Sequence, residues 1–378
     1  MKRLFLLLCV VSSMPLCVNA QEIEKTGNAE SIEKTDKAEN AEKEERPSFG
    51  RRLTKYVSVP KFGGYFIGKY AYSNQDGMHN GEGFSQRFIR LYVDGTILND
   101  FKYRIQVQFN NFSPHMKDYF VEWSHWKEFS IKVGQFKRAF TFENPYNPWN
   151  VGAGDYSQVV HKLAGIGDRN GEAATVGGRD QGIQFQGDLV PSKDGDFRYI
   201  HYQVQMMNGQ GINASDQNRR KDFLGTIQVQ PIKDLYIGVF GWTGNYVSNG
   251  VTVDRKRWAV GAQYEHNDWS ARAEYVRSKG HKISDYDSTT GTFNGSDTAD
   301  GWYATIGVPC TKWLKIYAKY DCYRDEATFG SSRTIYSLIP NFQLHKNFLL
   351  QLQFNHVNDR KASDHNYQEL WGELYVRF

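Results

Sequence analysis

From residue 61 onward the dominant pattern is strict alternation of apolar and polar side chains, and it recurs about sixteen times. In 348–355 Phe348, Leu350, Leu352 and Phe354 fall on one side, with Gln351, Gln353 and Asn355 on the other. In 101–110 Phe101, Tyr103, Ile105, Val107 and Phe109 oppose Lys102, Arg104, Gln106, Gln108 and Asn110. Period two is the signature of a strand with two unlike faces. The segments fall near 61–72, 84–98, 101–111, 116–126, 128–138, 179–190, 197–208, 219–231, 233–245, 253–266, 268–279, 299–309, 311–323, 332–343, 346–357 and 367–378. Each suits a tilted membrane strand, which needs about 9–11 residues.

The connections alternate in length. Short ones lie near Asn99-Asp100, Lys127, 231–233, Asn267-Asp268, 309–311 and His345, and longer polar ones lie between them. This rhythm predicts an all-β chain: a transmembrane antiparallel up-and-down barrel of about sixteen strands, with tight turns at one mouth and long loops at the other. Outside the N-terminus no apolar run approaches the roughly 18–20 residues of a membrane helix. Mean hydropathy is −0.62, and 15% of the residues are aromatic, which suits strands with interfacial rings.

The first twenty residues predict a secretory leader. Lys2 and Arg3 precede the apolar run Leu4–Val11, and Val18-Asn19-Ala20 fits a cleavage site. Residues 21–60 are expected to be a periplasmic extension. Their charged part, 21–46, lacks aromatics and repeats Ile-Glu-Lys-Thr at Ile23 and Ile32. The barrel is expected to occupy 61–378, in the outer membrane of a Gram-negative bacterium. The leader's two basic residues, and nine acidic against five basic groups in 21–46, leave +6 on the rest of a chain whose net charge is +4. That is a mild excess. Without basic clusters it gives no case for nucleic acid. Cys310 and Cys322, the cysteines beyond the leader, are expected to be unpaired and to bind no metal.

No catalytic motif emerges, so no cofactor is expected. Charges on the inferred inner face imply a wet lumen, because unpaired charge is costly to bury. The candidate wall residues are Arg90, Lys102, Arg104, Lys132, Arg257, Arg272, Lys315 and Lys319, with Glu122 and Glu274 among the anions. A barrel of this size leaves an aqueous channel. The stretch 139–178 is long for a hairpin loop, and such loops tend to carry function. It is expected to fold inward and narrow the lumen, with Glu143, Asp155, Lys162, Asp168, Arg169 and Glu172 as its charges.

Four segments carry a family resemblance: Arg87-Phe-Ile-Arg-Leu-Tyr-Val-Asp-Gly95, Phe101-Lys-Tyr-Arg-Ile-Gln106, Lys117-Asp-Tyr-Phe-Val-Glu122 and, above all, Ile131-Lys-Val-Gly-Gln-Phe-Lys-Arg-Ala-Phe140 before the long loop. On these the chain resembles the phosphate-selective porin O and P family in its Bacteroidetes-type form. The resemblance implies a sixteen-stranded barrel, a homotrimer, and 139–178 as the constriction loop. The barrel-assembly machinery of outer-membrane barrels favours an aromatic C-terminal residue, a role that would fall to Phe378. Phosphate-specific members carry dense Arg and Lys ladders, whereas here cations and anions are mixed. A weak anion preference and a general pore are both open. The expected partners are outer-membrane lipids and small hydrophilic solutes or anions. An adhesin or structural barrel that binds host or glycan ligands through its loops, and an outer-membrane barrel enzyme, stand as alternatives to the diffusion pore.

Overall fold

The computed structural model describes residues 56–75, 82–110, 113–171 and 178–378. The leader 1–20, most of the extension 21–60 and Glu172 lie outside them. Sixteen antiparallel strands close into one barrel. They are β1 Lys61–Ser73, β2 Gly83–Ile97, β3 Phe101–Asn110, β4 Ser113–Trp123, β5 Ser130–Lys137, β6 Arg179–Pro191, β7 Arg198–Met207, β8 Asp222–Ile232, β9 Leu235–Ser248, β10 Val251–His266, β11 Trp269–Lys279, β12 Thr298–Pro309, β13 Leu314–Arg324, β14 Ser332–His345, β15 Phe348–Asp359 and β16 Asn366–Arg377. A two-stranded ribbon, Tyr286–Asp287 with Thr292–Phe293, stands apart in the β11–β12 connection.

Each strand pairs with its sequence neighbours, and β1 pairs with β16 from Tyr65↔Arg377 to Ser73↔Glu369. Closure leaves no unpaired edge, which a bilayer would penalise heavily. Phe378 completes the seam: its N–H donates to the Gly64 carbonyl, and its own carbonyl accepts from Gly64, both at 3.1 Å. The ring lies so close to Gly64 that a Cβ there would stand 2.6 Å from it.

The alternation places apolar side chains outward. Ile105, Val133, Val204, Ile227, Val239, Leu338 and Leu374 are all exposed on the outer wall. Trp126, Trp269 and Trp313 are exposed at the short-turn mouth, where interfacial rings are expected. Gln106, Gln108, Gln184, Gln205, Gln351 and Asn355 are buried on the inner side. Cys310 and Cys322 are both free.

Register shifts interrupt four of the described strand pairs, and two of them re-aim charged side chains. Opposite Ile67 and Gly68, the register of β2 skips Arg87. Between Tyr119 and Met116, β4 sets two residues, Lys117 and Asp118, against the single Gln106 of β3. A bulge re-aims side chains. Arg87 and Lys117 therefore join the inner face, although counting by two along β2 from Arg90 and along β4 from Glu122 would not place them there; Asp118 is in phase with Glu122.

Candidate functional site

The described residues between β5 and β6, 138–171 and Gly178, enter the barrel. They contain a short helix, α1 Gln158–Leu163. Phe140, Phe142, Val159, Val160, Leu163 and Ile166 form an apolar cluster with Leu224, Phe240, Trp242, Ala259, Val276 and Tyr303 of the wall. Small wall residues allow the approach: a Cβ on Gly301 of β12 would stand 2.9 Å from Val159. Burying side chains of this size contributes about 1.5–3 kcal/mol each. The cluster therefore outweighs any single polar tie between loop and wall.

Polar ties then fix the position of the loop. The ends of the Arg257 guanidinium reach both Asp168 oxygens, at 2.6 and 2.8 Å, and Nη1 also donates to the Leu163 carbonyl at 2.8 Å. Arg169 donates to the carbonyls of Ser296 at 2.6 Å and Asp325 at 3.1 Å, in the connections after β11 and β13, and also to Gly280. Glu143 accepts from the Ser157 backbone N–H at 2.6 Å, and Asp321 of β13 accepts from the Gln158 N–H at 2.9 Å. These carboxylates satisfy the donors that open a helix, which have no partner within it. Asp155 meets Arg87 at 2.5 Å, and its carbonyl accepts from Lys319 at 2.8 Å. Glu274 accepts from the Phe142 N–H. The Gly152 carbonyl takes Asn341 and Gln351, at 2.8 and 3.0 Å.

Burial pushes the Asp168 carboxyl up, but the charge and hydrogen bonds of Arg257 override it and hold the group below the usual carboxylate range. Asp155 behaves alike: burial raises it, and Arg87, His161 and Lys69 together bring it below its ordinary value. The Tyr146 hydroxyl is pushed up to about 12, chiefly by burial.

Several sequence expectations need correction here. Asp168 and Arg169, expected near the solute path, and Glu143, expected among the charges of the constriction loop, are buried, and their charges are met by partners that hold the loop to the wall. Arg272, Glu274 and Lys319, expected as open wall, lie under the loop; Arg272 is held by Gln263 at 2.9 Å and Glu265 at 3.1 Å. Five of the six follow one rule, that a charge buried under the packed loop is stable when paired, whereas Glu274 meets the Phe142 N–H instead of a cation. Of the other loop charges, Lys162 is exposed and Asp155 keeps a third of its side chain open.

The opposite side is less filled. Between the loop and β2–β7 lies a cleft of about 230 Å³, bordered on the loop side by Ala139, Pro145 and Asn147. Its cations are Arg90, Arg104, Lys132, Lys137, Arg138 and Arg179, and Asp118 is the one carboxylate among its lining residues. Carboxylates answer four of the six: Asp94 holds Arg104 at 2.7 Å, Glu122 lies 3.2 Å from Lys132, Asp180 2.8 Å from Arg138, and Asp118 2.8 Å from Arg179. Arg90 and Lys137 have neutral partners among the described residues. Arg90 donates to Gln108 at 2.6 Å, and Lys137 to the Asn144 carbonyl at 2.7 Å and the Tyr156 hydroxyl at 3.1 Å. Lys102, exposed, stands opposite Glu122 in the register of β3 and β4. Lys315 borders a second recess of about 280 Å³ with Glu265, Asp268 and Arg272 at the short-turn end.

Arg87, Asp118, Lys137, Arg138 and Arg179 were missed as wall residues. A bulge hid Arg87, whereas Asp118 is in phase with Glu122 and was readable from it. Lys137, Arg138 and Arg179 flank the loop junctions, where alternation ends. The apolar inner residues of β8–β11 were a readable signal of what covers them, since Leu224, Phe240, Trp242, Ala259 and Val276 occupy inner positions that a wet wall would fill with polar groups.

A closed sixteen-strand antiparallel barrel with its longest loop folded inside defines the class: an outer-membrane barrel of the porin type. Residues 63–234 match the family model of phosphate-selective porin O and P, which bears out the resemblance over that stretch. No curated protein sequence matches the chain. Among solved structures, the anion-selective porin from Comamonas acidovorans is 14% identical, with TM-score 0.63, covering 85% of this chain and 99% of that one. The outer membrane channel DcaP of Acinetobacter baumannii is 12% identical, with TM-score 0.61, covering 86% and 98%. In its trimer form, OmpT of Vibrio cholerae is 10% identical, with TM-score 0.59, covering 85% and 100%. At these identities the likeness is one of fold.

Proposed function

We propose that this chain is a passive diffusion porin for small hydrophilic solutes with a bias toward anions, and that it works as a homotrimer. The observation that carries the reading is the cleft between the inner loop and β2–β7, with six cationic side chains and one carboxylate among its lining residues. Charges facing a narrow aqueous path between low-dielectric walls act strongly on a passing ion. Arg90 and Lys137 would supply the bias, because their positive charge is not cancelled by a carboxylate. Asp155, Lys162 and the cleft side of the loop would set the narrowest section. Lys102, Lys315 and the Glu122–Lys132 pair would line the approaches.

The mixed pairing elsewhere argues for weak selectivity rather than a dedicated phosphate path. The trimer form of the structurally similar Vibrio cholerae protein supports the assembly. Residues 21–60 would lie in the periplasm and Phe378 would serve assembly. The test is a planar-bilayer recording on purified protein under a potassium chloride gradient. The reading requires discrete conductance steps and a reversal potential on the anion side. Silent membranes would leave a surface-binding or structural barrel as the better account.

A further inference from the structure

Among the described residues, the outer wall carries a basic trough on β8 to β11. On β8 to β11 the outward residues form rows across the strands. The row nearest the long-loop mouth is Phe223, Thr243, Lys256 and Lys279; the next is Gly225, Gly241, Trp258 and Arg277; below it come Ile227, Val239, Val260 and Tyr275. The first two rows border an open groove of about 670 Å³. Its floor is the pair Gly225↔Gly241, and a Cβ added at either would meet nothing within 4 Å. Phe223 and Trp258, both about half exposed, form its sides.

Lys256 and Lys279 stand directly opposite each other across β10 and β11. Like charges so placed repel and destabilise the pair. Asp297 approaches Lys279 at 3.6 Å, but no ion pair reaches Lys256 among the described residues. Arg277 lies 4.0 Å from Asp300, whose carboxylate Arg324 already holds at 2.5 and 2.7 Å. Asp254 shares the outward face, two residues nearer the loops, roughly 7 Å along the strand. By contrast, the other large outer groove, which includes Ile306, Tyr320, Leu338, Phe354, His356 and Gln368, has no lysine or arginine on its outward face.

We infer that this trough binds an outer-leaflet lipid whose headgroup carries phosphate. The phosphate bridges Lys256 and Lys279 with Arg277 beside it, and an acyl chain lies over Gly225 and Gly241 toward Ile227 and Val239. The order of the rows is that of such a lipid: cations at headgroup height, a shallow channel beneath, then aliphatic wall. A bound phosphate turns the opposed lysines from a repulsive pair into a clamp. A near-surface cation adds about fivefold to anionic-lipid binding. The inference rests on the barrel spanning an outer membrane with its long loops outside, and a conductance recording on the wild type tests that premise separately.

The experiment uses the full chain folded in detergent and offered diphosphorylated lipid A or phosphatidylcholine, with bound lipid read by native mass spectrometry. Wild type should retain lipid A and not phosphatidylcholine, and millimolar inorganic phosphate should not displace it. The double variant Lys256→Gln with Lys279→Gln should retain lipid A about 30-fold less, with conductance unchanged because both side chains point away from the lumen. Gly241→Leu keeps the cations and fills the channel; it should also lose the lipid, and it carries the test if the lysine variant fails to fold. Equal retention by wild type and variants overturns the inference. So does displacement by inorganic phosphate, which would make the lysines a simple ion site. Efficient disulfide cross-linking between copies through Thr243→Cys also overturns it, since a second protein copy would then cover the trough.

Discussion

Arg257 of β10 grips both carboxylate oxygens of Asp168, at 2.6 and 2.8 Å, and so clamps the far end of the inner loop to the wall. Removing one partner of a buried pair leaves the other uncompensated, at a cost of about 3–5 kcal/mol. The apolar cluster under the loop exceeds that sum, so Asp168→Asn should loosen the loop without expelling it. Single-channel recordings should show larger and noisier steps. Steps identical to wild type would mean that this clamp does not control the aperture.

The clamp also sets an acid limit. The Asp168 carboxyl sits below its ordinary range when folded, so its contribution is fully present above the unfolded value near 3.9 and is lost as pH falls through the lower folded value. Conductance should therefore stay level between about pH 7 and pH 4. A rise well above pH 4 in wild type, absent in Asp168→Asn, would refute that assignment.

Selectivity should follow the cleft rather than the buried loop charges. Arg90→Gln together with Lys137→Gln should move the reversal potential toward zero. Lys162→Glu should move it toward cations. Arg169→Glu should act mainly by freeing the loop from the Gly280, Ser296 and Asp325 carbonyls, and so on conductance. Reversal potentials that ignore Arg90 and Lys137 would place the selective section elsewhere.

Neighbouring positions on β7 test facing. Val204 is half exposed on the outer wall, while Gln203 borders the cleft. Val204→Arg should cost about 2–4 kcal/mol near the bilayer centre, and Gln203→Arg should be tolerated in the lumen. Urea unfolding of the refolded variants gives the comparison, and equal costs would contradict the register. Gln353, inner by parity, is a poorer site for this, because a Cβ on Gly154 would stand 2.1 Å from its side chain.

Deleting Phe378 should reduce the folded, heat-modifiable band in outer-membrane fractions, since it removes both Gly64 hydrogen bonds at the seam. Normal assembly of the shortened chain would deny it that role.

All sixteen strands were legible because alternation is local: from Leu349 to Val357 each residue's side follows from its neighbour's. The boundary of β4 was three residues off, and Lys117 with Asp118 explains why, since two inward residues in succession cannot be fitted to period two. The inward loop was legible from its length, as was its wealth of charge. What those charges do was not. Asp168 and Lys162 look alike in sequence as polar loop residues, yet Asp168 ends against Arg257, 89 positions away, and Lys162 faces out. Only the closed wall brings such partners together.

Packing aromatic and aliphatic side chains against β8–β12, while the two cations that no carboxylate answers, Arg90 and Lys137, stand on β2 and β5, would make the passage polar across its width. Under that reading an anion in transit would feel a sideways pull toward β2 and β5 as well as the drop along the axis. A solute with a charge at one end then travels turned, its anionic end to the arginines and its apolar end to the loop. Two isomers of equal size and charge but different dipole would pass at different rates, so the barrel would sort by shape of charge and not by diameter alone.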